Sequence, residues 1–318
     1  MSTYNIIAAT SESTVVAEYT PQVSWTGAYQ SEAELELEEQ KYENITLHSE
    51  AELVANLRHQ LELLNDYLFS DSEWDQFFTN CIASKNEGIV EKTRKIQDNH
   101  VQILHRDNGS TKNIRLIEKE HIPDNHLQVT NQYEEEAGNH PTRYDVTILV
   151  NGLPLIHVEL KRRGVAIREA FNQIERYQRD SFWASNGLFE YVQIFVISNG
   201  THTKYYSNTT RISHIKELDE SGRRKSKKTS NSFEFTSFWA DANNKIIPDL
   251  IDFTKTFFAK HTILNILTKY CVFTSENLLL VMRPYQIVAT ERILNRIQTS
   301  TNLRTVGTRK AGGYIWKW

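Results

Sequence analysis

Asn151-Gly152 stands between two apolar, β-branched runs, residues 145–150 and 155–160, and no other stretch limits the fold so tightly. An Asn-Gly pair suits the positive-φ positions of tight hairpin turns, so the runs are predicted to pair as antiparallel strands. Pro154 fits the loop or the first residue of the second strand, where no ladder N–H is required. With a loop over 151–154, Val150 faces Leu155 and Asp145 lies opposite Leu160. That places Asp145 beside Glu159 and Lys161 at the open end of the hairpin. Strand side chains alternate, so Glu159 and Lys161 share one face.

Two carboxylates and an ammonium at a strand end need a reason, because charges are seldom buried unpaired. A hard divalent cation supplies one, since Mg²⁺ takes oxygen ligands and is often held by one or two carboxylates together with substrate phosphate. The lysine would then orient or help deprotonate an attacking water, or offset charge on the phosphorane. The bland alternative is a surface ion pair of Lys161 with either acid, worth about 0–1 kcal/mol. Glu-x-Lys recurs at Glu39-x-Lys41, in a polar, Glu-rich stretch with no apolar strand before it, and there it reads as a solvated helix face.

The stretch resembles the PD-(D/E)xK nuclease core, with Asp145 as the Asp and Glu159-Leu160-Lys161 as the (D/E)xK. Tyr144–Leu155, Val158–Lys161 and the run Arg163-Gly-Val-Ala-Ile-Arg-Glu-Ala-Phe-Asn-Gln-Ile look more closely like the restriction (R, motor) subunit of type I restriction–modification enzymes. Gln173-x-x-x-Tyr177 matches the further motif that this subunit shares with RecB-type nucleases, and the likeness runs from about Tyr29 to Trp316. The resemblance implies an α/β fold, a mixed sheet flanked by helices with a restriction-endonuclease-like core. It implies Mg²⁺-dependent cleavage of double-stranded DNA, with Asp145 and Glu159 on the metal and Lys161 assisting the water. In such enzymes cleavage follows ATP-driven translocation by a complex with methylation and specificity subunits, which read the recognition sequence. The runner-up readings are an idle DNA-binding or assembly module and, less favoured, a free-standing RecB-type repair nuclease.

The rest of the chain is read around this core. Of 318 residues 39% are hydrophobic and 24% charged, ordinary values for a soluble protein. The net charge of −4 leaves DNA contact to local basic clusters rather than a general basic coat. Cys81 and Cys271 form no metal-ligand spacing. With no leader pattern and no long apolar run, a soluble, cytoplasmic protein without membrane contact is expected. The expected division is an arm over 1–28, an endonuclease domain over 29–260 with a basic loop insertion at 208–232, and a linker with the start of a RecA-like motor domain over 261–318.

Ser31 caps an expected helix whose Glu32, Glu34 or Glu36 is either solvated or, by the resemblance, a further metal ligand. This helix looks several residues shorter than the family pattern. Apolar spacing from Ser49 to Leu68 predicts an amphipathic helix through Leu53, Val54, Leu57, Leu61, Leu64 and Leu68. Trp74, Phe77 and Phe78 are expected in the core, and 85–98 as a solvated helix or loop. A hairpin over 101–104 and 113–117, and strands at Leu127–Tyr133, 191–197 and Thr203–Tyr206, complete the sheet material. His121, His126 and His140 read as surface residues.

A helix over about 166–182 carries the apolar stripe Ile167, Ala170, Phe171, Ile174 and Tyr177, and puts Gln173 and Tyr177 on one face. Either Tyr177 is core with a paired hydroxyl, or this face closes over the site. Arg162, Arg163, Arg168 and Arg176, with Arg179 nearby, form a basic cluster read as a phosphate-positioning surface. Helices over Asp249–Phe258 and Thr262–Tyr270 and a strand at Leu278–Val281 follow. Arg283-Pro-Tyr-Gln286 resembles the opening of the motor, in which Gln286 would contact adenine, and Gly312–Trp316 the strand leading to a phosphate loop. No G-x-x-x-x-G-K-[ST] occurs, so ATP hydrolysis is not expected of this chain.

Overall fold

The computed structural model describes residues 9–10, 13–14, 37, 40–135, 142–209 and 231–313. The expected helix bearing Glu32, Glu34 and Glu36, most of the arm, most of the basic loop and Gly312–Trp316 beyond residue 313 lie outside the described residues. Short pairs β1 (Ala9–Thr10) and β2 (Ser13–Thr14) stand apart from the main sheet.

The main sheet is built from β3 (Glu43–Asn44), β6 (Leu127–Glu135), β7 (Thr142–Val150), β8 (Leu153–Leu160), β9 (Ile194–Ser198) and β10 (Thr203–Ser207). Before β6 comes the separate hairpin of β4 (Val101–His105) and β5 (Thr111–Arg115), as the Asp107-Asn108-Gly109 signal predicts. The strand order is β10-β9-β8-β7-β6-β3. β8 runs parallel to β9 and β3 parallel to β6, whereas β6, β7 and β8 form an antiparallel meander and β10 returns antiparallel on β9. This is the mixed α/β sheet expected. Every residue of β9 is buried, so both faces of the sheet centre are covered, as its unbroken apolar run requires.

The hairpin differs from expectation in its turn. Only Asn151 (φ 51°) and Gly152 (φ 81°) form the loop, so β8 begins at Leu153 and Val150 pairs with Leu153 rather than Leu155. A bulge follows, since Leu149 pairs with Pro154 but Ile148 pairs with Ile156, leaving Leu155 as the extra residue. Val146 then pairs with Val158, so the position after it sets Asp145 against Glu159 and not Leu160. Pro154 is tolerated inside β8 because pairing with β9 begins only at Ile156.

Helix α1 (Glu50–Asn65) is capped by the Ser49 hydroxyl and buries Leu53, Leu57 and Leu61. It ends at Asp66 in the left-handed region, so Leu68 lies beyond the helix and is 80% exposed instead of continuing the stripe. The helix crosses the hairpin tip so closely that a Cβ on Gly152 would stand 2.6 Å from the Leu57 Cα. Helix α2 (Asp71–Phe77) starts with a Ser70/Glu73 capping box and buries Trp74 and Phe77, with Phe78 packed beside them.

Residues 85–98 are not the solvated stretch expected. They form α3 (Ile89–Gln97), whose Lys92 is 2% exposed and donates to Glu190 Oε2 (2.7 Å) and the Gly187 carbonyl (2.8 Å). Lys95 is also buried and pairs with Glu87. Sequence polarity misled because each ammonium carries its partners into the interior with it.

Helix α4 (Ile167–Asp180) connects parallel strands β8 and β9 as a crossover and buries Ala170, Phe171, Ile174 and Tyr177. A two-stranded piece, β11 (Trp239–Ala240) with β12 (Ile246–Ile247), precedes α5 (Leu250–Phe257), capped by Asp249, and α6 (Lys260–Asn265). β13 (Cys271–Phe273) pairs with β14 (Leu279–Val281), and α7 (Pro284–Asn302) follows. Among the described residues no helix is long and apolar enough to cross a membrane.

Candidate active site

The site lies where the β7–β8 pairing stops and α4 passes over the strand ends. Asp145 stands one residue past the last paired position, and its Oδ2 accepts the Leu160 backbone N–H at 2.8 Å. The carboxylate thus extends the ladder by a side chain. On β8, alternation carries His157 and Glu159 to one face, and Lys161 follows on that side. Glu159 is fully buried, and its Oε1 accepts from Lys161 Nζ at 2.6 Å.

Helix α4 reaches back onto this group. Gln173 Oε1 accepts from Lys161 Nζ at 2.8 Å, while the Gln173 amide donates to the Tyr177 hydroxyl. That hydroxyl donates to the Arg143 carbonyl on β7 at 3.1 Å. One hydrogen-bonded chain therefore links Glu159, Lys161, Gln173, Tyr177 and β7. Tyr177 is both core, at 6% exposure, and a member of this chain, so the two sequence readings are not exclusive.

Electrostatics mark the site as short of positive charge. Burial, and then repulsion from Glu159, push the Asp145 carboxyl up to about 6, although the Leu160 N–H and Lys161 act against this. Burial and neighbouring Glu159 also push the Tyr177 phenol upward. Glu159 Oε2 is buried without a hydrogen-bond partner. An uncompensated carboxylate oxygen next to a second acid suits a hard cation, and Asp145 and Glu159 are the described residues that would hold it. Among the described residues no group of three or more His, Cys, Asp or Glu is arranged around a metal position. A two-carboxylate site fits Mg²⁺, which keeps several waters, better than a caged metal.

The basic residues divide. Lys161, Asn172, Gln173, Arg176 and Arg179 line an open depression of about 440 Å³, flanked by Glu169 and Glu175. Arg176 also donates to Gln173 Oε1 at 3.1 Å. Arg162 is exposed outside that lining. Arg163 faces Asp249 at 3.8 Å, and Arg168 lies 4.9 Å over the Phe233 ring. Gln286 sits far along the chain, its side-chain oxygen accepting the Arg283 N–H at the start of α7.

Sequence reasoning passed over His157. It is fully buried behind Glu159 with its Nε2 3.7 Å from Glu159 Oε2, and the alternation that paired Glu159 with Lys161 also points to it. Asn172 was likewise missed; it lies one helical residue before Gln173 and no motif marks it.

Residues 9–214 match the family described as the N terminus of the type I restriction enzyme R protein. The EcoprrI type I restriction enzyme endonuclease subunit of Escherichia coli is 47% identical over 317 residues, covering 97% of this chain and 96% of that protein. The chain belongs to the type I restriction enzyme R protein N-terminal family. Endonuclease subunits from Staphylococcus saprophyticus (SsaAORF53P, 35% identical) and from Staphylococcus aureus strain MSSA476 (SauMSSORF170P, 34% identical) each match 91% of this chain. The chain spans only 28% of the length of either staphylococcal protein. The family match ends at residue 214, so the hairpin, Gln173 and Tyr177 fall within it and α5 to α7 fall beyond it.

Proposed function

We propose that this chain is the Mg²⁺-dependent endonuclease part of a type I restriction enzyme R subunit, hydrolysing phosphodiester bonds of double-stranded DNA. One observation carries the reading: Glu159 is fully buried, tied to Lys161 through one oxygen and left unsatisfied at the other, beside an Asp145 whose carboxyl burial and Glu159 push up to about 6. Such a pair is costly without a cation and useful with one.

In this reading Asp145 and Glu159 hold the metal, which when bound polarises phosphate oxygens and eases deprotonation of water. Lys161 presents its ammonium to the attacking water or to the charge that develops on phosphorus. Gln173 restrains that ammonium and Tyr177 restrains Gln173. Arg176 and Arg179 take the adjoining backbone phosphate in the depression beside Lys161. Methylation and specificity subunits would choose the target, and ATP-driven translocation in the full complex would precede cutting. ATP would be bound and hydrolysed outside this chain's described fold, with Gln286 a candidate adenine contact only if it leaves its cap.

The test is nicking of supercoiled plasmid by the purified chain with Mg²⁺, beside Glu159→Ala and an EDTA control. Nicking that needs both metal and Glu159 is expected. If the folded chain fails to nick, and still fails when the motor and partner subunits are supplied, the proposal falls to the idle assembly module.

A further inference from the structure

His157 stands directly behind the carboxylate assigned to the metal and has no role in the account above. Its ring is wholly buried and edge-on to Tyr144, Tyr177, Phe182 and Phe195, at centroid distances of 5.5, 5.8, 5.7 and 6.4 Å. An imidazole in an aromatic cage needs partners for both nitrogens. Nδ1 lies 3.4 Å from Thr147 Oγ1, the residue paired with it across β7 and β8. Nε2 has no hydrogen-bond partner, and neither does Glu159 Oε2, 3.7 Å away.

Two unsatisfied, complementary atoms face each other at a separation too long for a full hydrogen bond and too short for a bridging water. A small rotation of either side chain closes the gap. Hydrogen bonds within catalytic groups are often long before the ligand arrives and tighten on binding. With the Thr147 hydroxyl donating to Nδ1, the ring proton sits on Nε2, aimed at Glu159; the opposite tautomer would set a bare nitrogen against a carboxylate oxygen.

We infer that His157 is a positioning residue that donates from Nε2 to Glu159 Oε2 and fixes the carboxylate plane for its metal. The carboxylate is then gripped on both sides, by Lys161 at Oε1 and by His157 at Oε2, with Thr147 setting the tautomer. Ligating carboxylates are commonly oriented this way, and loss of such a partner typically weakens metal binding about 10–100-fold. The inference rests on Glu159 being a metal ligand, as proposed above.

The experiment separates the two ideas by measuring Mn²⁺ binding to the whole chain calorimetrically, without DNA. The chain itself, Glu159→Ala, His157→Leu and His157→Gln are compared, with thermal midpoints recorded for each. Glu159→Ala should abolish binding. His157→Leu should weaken it about 10–100-fold while its midpoint stays close to that of the unaltered chain, and His157→Gln, whose amide nitrogen replaces Nε2, should recover most of the loss. Binding by His157→Leu within about twofold of the unaltered chain, with Glu159→Ala inactive, would overturn the role of His157 alone. No Mn²⁺ binding by the unaltered chain would overturn both readings. Should His157→Leu not fold, ¹⁵N-histidine spectra of the unaltered chain decide, since an Nε2–H tautomer is expected and a bare Nε2 refutes the inference.

Discussion

Asp145 and Leu160 are joined by a carboxylate rather than a carbonyl: the Leu160 N–H donates to Asp145 Oδ2 at 2.8 Å, just where the β7–β8 ladder runs out. Burial and the neighbouring Glu159 perturb the carboxyl of the same acid. Raised to about 6 from 3.8, it is favoured protonated in the fold. Its contribution to stability is therefore complete below the unfolded value and is lost as pH rises through about 6.

Asp145→Asn keeps an oxygen for Leu160 and removes the charge. In EDTA the variant should match the unaltered chain near pH 4 and exceed it by about 2–3 kcal/mol at pH 7, read from urea unfolding midpoints. Added Mg²⁺ should stabilise the unaltered chain and leave the variant unmoved. A variant less stable at pH 7 in EDTA would refute this account.

Gln173→Ala removes one of the two restraints on the Lys161 ammonium, leaving the Glu159 contact, and breaks the link to Tyr177. Loss of hydrogen bonds to a charged group, at about 1.5–3 kcal/mol, corresponds to roughly a 10–100-fold fall in single-turnover nicking. Tyr177→Phe, which keeps the packing and loses the Gln173 and Arg143 contacts, should fall by less than Gln173→Ala. The ratio of the two rates checks the order of the chain.

The arginines should sort by position, not by proximity in sequence. Arg176→Ala and Arg179→Ala, in the depression beside Lys161, should weaken duplex DNA binding and lower the slope of log affinity against log salt by about one each. Arg168→Ala, over Phe233, should leave the slope unchanged. Fluorescence anisotropy across a salt series measures all three.

Gly152→Ala meets both a φ of 81° and the Leu57 Cα at 2.6 Å. Gly109 shares that φ of 81° but has open space around it. Thermal melts should place Gly109→Ala about 1 kcal/mol below the unaltered chain and Gly152→Ala at least about 3 kcal/mol below.

Glu190→Ala strands the ammonium of Lys92, on α3, inside the protein and should cost about 3–5 kcal/mol in urea unfolding. Replacing the pair together, as Lys92→Met with Glu190→Gln, should recover most of that loss. A double variant as damaged as the single one would point to the lysine stem, not its charge.

The turn pair Asn151-Gly152, the acid-strand-lysine order and the i, i+4 relation of Gln173 and Tyr177 are local, and they were readable because period and turn chemistry act within a few residues. Lys92 was not readable. Its burial depends on Glu190 and the Gly187 carbonyl, nearly a hundred residues away in sequence, and polarity alone says the opposite. The fate of Arg168 likewise depends on Phe233, on a distant segment. His157 was legible in principle by alternation, but a lone histidine in an apolar strand carries no signal until its ring nitrogens are seen to lack partners.

Leu155, the unpaired residue of the bulge, sets the phase of everything downstream on β8. Had Leu155 paired with Ile148 in the register that Leu149–Pro154 sets, Val158 would come abreast of Asp145 and the glutamate would fall out of step. One inserted residue acts as a vernier, and the acids coincide only at its correct setting. Forcing Leu155 back into the ladder would mistune the site by a full strand position while leaving each of its side chains in the protein.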